Sequence, residues 1–325
     1  MEHRKIGELS VSVVGMGCNQ FGTSADAATT TSIVHEALDA GINFVDTADE
    51  YGRNYADPND PEGWGRSEEL LGQALQGRRD DVVVASKFGI AAPGDADSGG
   101  ASARWIATAV EQSLRRLRTD RIDLYQLHFP DPAVSIEETL GALDRLVRDG
   151  KVREIGSCNL TSDALIEADA SAAEHDFRRF VSVQAPLNLV QRGSLNEVMP
   201  VCEQLGLAFI PYYPLASGIL TGKYRRHEAP PAGTRLTEQL SDEARARLLS
   251  DRTFNRLDAL EAWAAARGHS LLELAFAWLL GHPAVATVIS GAAKPGQAAA
   301  NANAAGWVLS PDEVAEVTKV VQEAA

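Results

Sequence analysis

Short apolar runs alternate along the chain with longer segments whose apolar residues recur at helical spacing. Each short run is four to seven residues long and rich in valine, isoleucine or leucine, which is typical of buried strands. These runs predict eight strands, at residues 11–17, 43–46, 81–87, 124–128, 154–157, 181–184, 207–212 and 286–290. The segments between them are mostly long enough for a helix.

Four of these intervening segments predict helices by residue, at 29–40, 67–75, 103–117 and 136–149. In the first, Ile33, Ala37 and Leu38 share one face, and Gly150 stands where a glycine commonly ends a helix. Repeated strand–helix units indicate an α/β protein with parallel strands and helices outside. Eight such units fit a closed (β/α)8 TIM barrel, which we expect to form one domain over residues 1–325, with its active site at the C-terminal face.

The competing architecture is a doubly wound open sheet. That fold binds dinucleotides through a G-x-G-x-x-G turn after the first strand. Gly15, Gly17 and Gly22 are the glycines available here, and their spacing does not match. Four irregular stretches predict loops, at 53–65, 91–100, 216–235 and 237–250, the last being charged and partly helical.

The amino-acid composition limits which kinds of molecule the protein can bind and in which compartment it is expected. The 325 residues include 30 Lys and Arg against 45 Asp and Glu, a net charge of −15, which excludes a basic surface for nucleic acid or anionic lipid. The longest apolar run, 271–280, is too short to span a bilayer and contains Glu273. With no secretory h-region at the start, we expect a cytoplasmic protein. Three cysteines without a C-x-x-C pattern indicate neither a disulfide framework nor a cysteine zinc site, and no metal site is predicted.

Three polar residues close consecutive predicted strands. Asp46 and Lys87 are 41 residues apart, Lys87 and His128 are again 41 apart, and Tyr51 follows Asp46 in the next loop. Each residue has a common structural alternative when it is taken singly. An aspartate at a strand end often caps a helix, and a lysine there is often a solvated charge at the rim. A histidine is often structural, and a Tyr-Gly pair often forms a turn. Because neighbouring barrel strands end at one mouth, their coincidence predicts one site.

The four side chains suit protonation of an oxygen that gains charge. A tyrosine titrates near ~10, so it is a poor acid at neutral pH unless a nearby ammonium stabilises its phenolate. Lys87 can supply that ammonium, Asp46 can hold it, and His128 can orient a substrate oxygen.

Several segments resemble the motifs of the aldo-keto reductase family. They are residues 41–52 (GINFVDTADEYG), 66–69 (RSEE), 85–88 (ASKF), 123–128 (DLYQLH) and 150–153 (GKVR), within a resemblance running from about residue 4 to residue 301. The resemblance implies a (β/α)8 fold and a catalytic tetrad of Asp46, Tyr51, Lys87 and His128. It also implies NADP(H) as cofactor, bound without a G-x-G-x-x-G turn.

Three further segments resemble the family's cofactor motifs: residues 155–159 (IGSCN), 211–223 (PYYPLASGILTGK) and 290–297 (SGAAKPGQ). By resemblance, Tyr212 stacks on the nicotinamide and Lys294 meets the 2′-phosphate. Cys158 stands where the family usually has serine, and a small buried residue is preferred to a reactive thiol. The implied cofactor contacts are Cys158, Asn159 and Gln184 at the carboxamide, Tyr212, Leu215, Ser217 and Lys223 along the nicotinamide and pyrophosphate, and Lys294, Gln297 and Asn301 at the adenosine end. The alternative to a cofactor role is core packing for Tyr212 and an exposed surface charge for Lys294.

Three functions stay open on the sequence. The leading one is reduction of a small aldehyde, ketone or sugar carbonyl with NADPH; the others are the reverse, dehydrogenase direction and a cofactor-bound regulatory subunit. The loop at 53–65 is expected to shape the substrate pocket, with Trp64 and Phe129 as candidate walls. The sequence names neither the substrate nor the oligomeric state.

Overall fold

A short antiparallel hairpin, β1 (His3–Ile6) and β2 (Leu9–Ser12), begins the fold in a computed structural model that describes residues 1–53, 62–95 and 98–324. Gly7, at φ +55°, lies in its turn. Ile6, Leu9 and Val11 are buried against side chains from the interior of the barrel, including Phe44 and Leu124. The hairpin therefore covers one end of the barrel.

The prediction of a single strand over residues 11–17 is wrong. The run is apolar apart from Ser12, but Val11 belongs to the hairpin and packs in the barrel interior, whereas Val14 begins the first barrel strand and packs against the helices. Two separate elements that pack in two different cores therefore share one largely apolar run, which sequence periodicity does not divide.

Eight parallel strands form the barrel, as predicted. The seven other predicted strands lie within two residues of the observed ends. The sheet closes where the backbone of Phe209 bonds to Ala284 and Ala286. The barrel strands are β3 (Val14–Gly17), β4 (Phe44–Asp46), β5 (Val83–Phe88), β6 (Ile122–Leu127), β7 (Val152–Cys158), β8 (Ser182–Pro186), β9 (Ala208–Tyr212) and β10 (Val288–Gly291).

Helices surround the strands, and the four that the sequence predicts by residue are confirmed within two residues. Ser102, Ser135 and Thr161 each cap a helix start by accepting a backbone N–H. The helices are α1 (Ala27–Asp39), α2 (Arg66–Ala74), α3 (Ala103–Leu117), α4 (Ile136–Arg148), α5 (Ser162–His175), α6 (Gly193–Glu197), α7 (Met199–Leu205), α8 (Arg235–Glu238), α9 (Asp242–Leu248), α10 (Asp251–Ala265), α11 (Leu271–Leu280), α12 (Gln297–Ala304) and α13 (Pro311–Glu323).

The charged stretch at 237–250 is partly helical, as expected, because it contains α9 and the end of α8. Of the two other acidic and glycine-rich loops, residues 54–61 and 96–97 lie outside the described residues. The apolar run at 271–280 is the buried helix α11. Within the described ranges, no helix is both long and apolar enough to cross a membrane.

A group of buried polar residues lies between the barrel and helices α2 and α3. Glu68 is fully buried and accepts hydrogen bonds from Ser86 Oγ at 2.5 Å and Arg116 Nε at 2.6 Å. Asp49 is also buried, and its Oδ1 has no hydrogen-bond partner in the described part of the chain. Burial raises the pKa of Asp49 well above its usual value, and the negative charge of Glu68 raises it further. The group therefore contains two buried carboxyl groups, those of Asp49 and Glu68, and one guanidinium group, that of Arg116.

We expect Asp49→Asn to increase the free energy of unfolding near neutral pH. The pKa of Asp49 is raised in the folded protein, so the unfolded chain ionises first and wild-type stability falls as pH rises above about 4. The variant has no such loss, and its advantage should grow with pH. Urea unfolding at about pH 4 and about pH 7 measures this. The same change at exposed Asp149 is the control, and a pH-independent difference for Asp49→Asn would contradict the prediction.

Candidate active site

The carboxyl ends of β4, β5 and β6 bring the predicted catalytic residues to one mouth of the barrel. Asp46 is the last residue of β4, Lys87 lies near the end of β5, and His128 follows β6 directly. The strands pair in parallel, with Lys87 opposite Gln126 and Asp46 opposite Ala85. Tyr51 lies in the turn that follows β4. These four residues do come together, as their spacing predicts.

Lys87 lies at the centre of this group. Its Nζ donates to Asp46 Oδ2 at 2.6 Å, to the carbonyl oxygen of Thr47 at 3.0 Å and to Tyr51 Oη at 3.4 Å. The lysine side chain is fully buried, and that of Asp46 is nearly so. A buried ammonium next to a phenol stabilises the phenolate, so the arrangement favours proton donation by Tyr51.

The second oxygen of Asp46 is bound as well. Asp46 Oδ1 accepts hydrogen bonds from Gln184 Nε2 at 2.9 Å and from Gln126 Nε2 at 3.2 Å. Gln126 and Gln184 are both buried in the barrel. The sequence reasoning missed Gln126, because its position opposite Lys87 follows from the register of β5 and β6, which the sequence pattern does not fix.

His128 is buried beside Tyr51, with ring centroids 5.9 Å apart and ring planes at 78°. Burial lowers the pKa of His128 well below its usual value, and the positive charges of Lys87 and Arg53 lower it further. The imidazole is therefore neutral at physiological pH. Its Nδ1 is buried without a hydrogen-bond partner among the described residues, and its ring stacks on Phe129, which is 48% exposed.

The ends of β7, β8 and β9 form the neighbouring part of the mouth. Tyr212 Oη donates to Asn159 Oδ1 at 2.8 Å, and Asn159 Nδ2 donates to the carbonyl oxygen of His128 at 3.0 Å. Cys158 is buried, its Sγ lies 3.9 Å from Gln184 Oε1, and burial raises its thiol pKa to about 12. Cys158 is therefore a neutral thiol and not a nucleophile.

The loop after β9 carries the next predicted residues, Leu215, Ser217 and Lys223. A 3₁₀ turn at Ala216–Thr221 is interrupted by left-handed backbone at Ser217 (φ 59°) and Gly218 (φ 93°). The left-handed backbone at position 218 favours glycine, and a Cβ there would lie 3.0 Å from Lys223 Nζ. Partial desolvation lowers the pKa of the exposed Lys223, and the positive charge of Lys294 lowers it further.

Lys294 and Gln297 lie where α12 begins, and Asn301 is buried within that helix. Gln297 Oε1 accepts from the backbone N–H groups of Ala293 at 2.8 Å and Lys294 at 3.1 Å. Glu36, from α1, accepts from the N–H groups of Gly296 at 2.6 Å and Ala299 at 3.0 Å. The sequence reasoning missed Glu36, because a carboxylate reaching across from another helix leaves no local signal.

Of the two predicted pocket walls, Phe129 stacks on His128 and Trp64 lies near Arg53. The Arg53 guanidinium is 5.8 Å from the Trp64 ring centroid, and Arg53 Nε donates to Glu50 Oε2 at 2.6 Å. The positive charge of Arg53 also lowers the pKa of His128. Residues 54–61 of the loop expected to shape the pocket are outside the described residues.

Comparison with known proteins agrees with this geometry. The model of the Aldo/keto reductase family matches residues 13–322. The chain is 32% identical to Aldo-keto reductase YhdN of Bacillus subtilis, with 99% of this chain and 94% of that protein covered. It is also 32% identical to a probable voltage-gated potassium channel subunit beta of Oryza sativa, with coverage of 99% and 97%.

Among solved structures, the glycerol dehydrogenase AKR11B4 of Gluconobacter oxydans superposes with a TM-score of 0.83 at 28% identity. The match covers 99% of this chain and 96% of that one. The family model, the relatives and the barrel architecture all agree over nearly the whole length. The chain therefore belongs to the aldo/keto reductase family, a family of oxidoreductases.

Proposed function

We propose that the protein is an NADP(H)-dependent oxidoreductase that transfers a hydride between the nicotinamide and a small aldehyde, ketone or sugar carbonyl, with Tyr51 as proton donor. The observation that carries this proposal is the buried Lys87 ammonium, bound to Asp46 at 2.6 Å and to Tyr51 at 3.4 Å. It supplies the positive charge that a phenol needs to act as an acid near neutral pH.

Each residue of the tetrad has a separate task in the proposed reaction. NADPH, when bound, supplies the hydride. As the carbonyl carbon receives it, negative charge develops on the substrate oxygen, and Tyr51 donates its proton there. Lys87 stabilises the resulting phenolate, and Asp46 keeps Lys87 in position. The neutral imidazole of His128 hydrogen-bonds the substrate oxygen and orients it.

The residues around the mouth fit a phosphorylated dinucleotide. The positive charge of Lys294 lowers the pKa of Lys223, and no carboxylate forms an ion pair with either lysine in the described part of the chain. A bound polyanion would offset these two positive charges. We assign Tyr212 to stacking on the nicotinamide, and Cys158, Asn159 and Gln184 to its carboxamide. Leu215, Ser217 and Lys223 are assigned to the pyrophosphate, Lys294 to the 2′-phosphate, and Gln297 and Asn301 to the adenine.

Two relatives represent the alternatives. One similar structure is named a glycerol dehydrogenase, which is the oxidative direction of the same chemistry. Another relative is named a probable channel subunit. The four-residue donor group around Lys87 favours turnover over a purely regulatory role, since cofactor binding alone does not require a proton donor. A purified chain that binds NADPH but converts no carbonyl in a broad panel would favour the regulatory subunit.

We expect Tyr51→Phe to lower the turnover number for carbonyl reduction by about 10²–10⁴-fold while NADPH affinity stays unchanged. The ring is kept, and only the proton donor is removed. NADPH oxidation gives the rate, and fluorescence titration gives the Kd. Tyr125→Phe is the matched control, because Tyr125 is a buried tyrosine that packs on Phe88 towards the helices. Retention of half the activity would mean that the donor lies elsewhere, and loss of NADPH binding would mean a structural role.

Lys87→Met should reduce turnover and also destabilise the fold. It leaves the buried Asp46 carboxylate without its cation, and breaking such a pair costs about 3–5 kcal/mol. Adding Asp46→Asn removes the unpaired charge, so the double variant should recover part of the free energy of unfolding but no activity. Urea unfolding and carbonyl reduction measure the two effects. A double variant that is less stable than Lys87→Met would contradict this account.

Lys294→Ala should weaken NADPH binding by about tenfold and leave NADH binding within about twofold. A charge-assisted contact to the 2′-phosphate accounts for this difference, because NADH lacks that group. The control is Lys223→Ala, which should weaken both cofactors alike, since the pyrophosphate is common to them. Fluorescence titration with each nucleotide gives the four ratios. An equal effect of Lys294→Ala on both cofactors would remove Lys294 from the 2′-phosphate site.

A further inference from the structure

We propose that Gln126 is a positioning residue of the active site, which acts through Asp46 to hold Lys87 against Tyr51. This inference rests on the proposed function and extends its site by one residue. Gln126 belongs to β6 and lies opposite Lys87 in the ladder between β5 and β6. Register partners on neighbouring strands point to the same side of a sheet, so both side chains point into the barrel.

Asp46 accepts hydrogen bonds from three side chains on three other strands. Lys87 binds Oδ2, while Gln184 and Gln126 bind Oδ1 at 2.9 and 3.2 Å. Gln184 Nε2 also lies 3.5 Å from Gln126 Oε1, so the two amides contact each other. Gln126 and Lys87 are 0% exposed, and Asp46 is 2% exposed.

The choice of an amide at position 126 has an electrostatic consequence. A second lysine there would compete with Lys87 for the carboxylate, and a second carboxylate would repel Asp46. A neutral amide donates to Oδ1 without doing either, and a hydrogen bond to the ionised form favours that form. With Oδ1 fixed by two amides, Oδ2 stays directed at Lys87, and the ammonium stays 3.4 Å from Tyr51 Oη.

The other titratable groups around the pair carry little charge. Burial raises the pKa of the Cys18 thiol, close to Asp46, and that of the Cys158 thiol, so both are neutral. His128 is neutral because its pKa is lowered. On the outer side, Arg53 and Glu50 form an ion pair. The position of Lys87 relative to Tyr51 therefore controls how strongly the phenol is acidified.

Loss of the Gln126 amide frees Asp46 to rotate and Lys87 to move away from Tyr51. The phenolate is then less stabilised, so the pKa of Tyr51 rises and the phenol becomes a weaker acid. The test compares three variants. Gln126→Met keeps the shape and removes the donor. Gln126→Glu keeps the shape and donates only while its new carboxyl is protonated. Thr287→Val is the control, because it also replaces a buried polar side chain by an apolar one. Strand register places Gly291 level with Gly17 and Asp46, and Thr287 lies four residues before Gly291, away from the carboxyl ends of the strands.

For Gln126→Met we expect kcat for carbonyl reduction to fall about tenfold, with KM and the NADPH Kd within about twofold. The basic limb of the pH profile should move to higher pH. Gln126→Glu should approach wild-type kcat at low pH and lose activity as the introduced carboxyl ionises beside Asp46. Thr287→Val should leave kcat and the profile unchanged. An unshifted profile in Gln126→Met, or equal behaviour of the Met and Glu variants at every pH, would overturn the proposal.

A second readout separates this inference from the proposed function. The phenol of Tyr51 is titrated by ultraviolet difference absorbance, with Tyr51→Phe as the reference for the other tyrosines. The pKa of Tyr51 should be higher in Gln126→Met than in wild type, whether or not a carbonyl substrate is found. A wild-type protein without carbonyl turnover would overturn the proposed function, while an unchanged Tyr51 titration would overturn the role of Gln126.

Discussion

The ion pair between Lys87 and Asp46 is the interaction on which the geometry of the candidate active site depends. Removing both charges from water is costly, and their attraction offsets that cost only when the remaining donors and acceptors are also bound. Here the carbonyl of Thr47, the hydroxyl of Tyr51 and two glutamine amides complete the bonding. The pair is therefore held in one geometry, with the Lys87 ammonium 3.4 Å from the Tyr51 hydroxyl.

This requirement explains why the site is built on a barrel. The residues that bond to the pair come from β4, β5, β6 and β8, and a closed ring of parallel strands directs all of them to one mouth. The opposite end serves stability. There the hairpin of β1 and β2 buries Ile6, Leu9 and Val11 and covers the interior. The candidate active site and the hairpin that covers the interior thus lie at opposite ends of the barrel.

Positive charge occurs at the mouth of the barrel although the protein as a whole is acidic. The protein carries a net charge of −15, yet Lys223 and Lys294 both follow barrel strands at this mouth, where the charge of Lys294 lowers the pKa of Lys223. Close by, Glu36 and Gln297 bind the backbone N–H groups at the start of α12. These backbone N–H groups are therefore already bound within the protein, whereas neither lysine side chain forms an ion pair with a carboxylate among the described residues.

The sequence by itself determined the repeated strand–helix order, the positions of seven barrel strands and four helices, and the meeting of Asp46, Tyr51, Lys87 and His128 at one mouth, since each leaves a local signal. Buried strands are short apolar runs, and the carboxyl ends of parallel strands must meet. It did not divide residues 11–17, because two neighbouring elements that pack in different cores share one run that is apolar apart from Ser12.

Only the tertiary structure decided which partners complete the site. Gln126 and Gln184 contact Asp46 from positions 80 and 138 residues away, and Glu36 reaches α12 across 260 residues. Such contacts arise from strand register and helix packing, in which residues distant along the chain become neighbours. A single sequence carries no periodicity that identifies them, because hydrogen bonding between buried polar groups depends on ångström-scale placement, which only the packed fold provides.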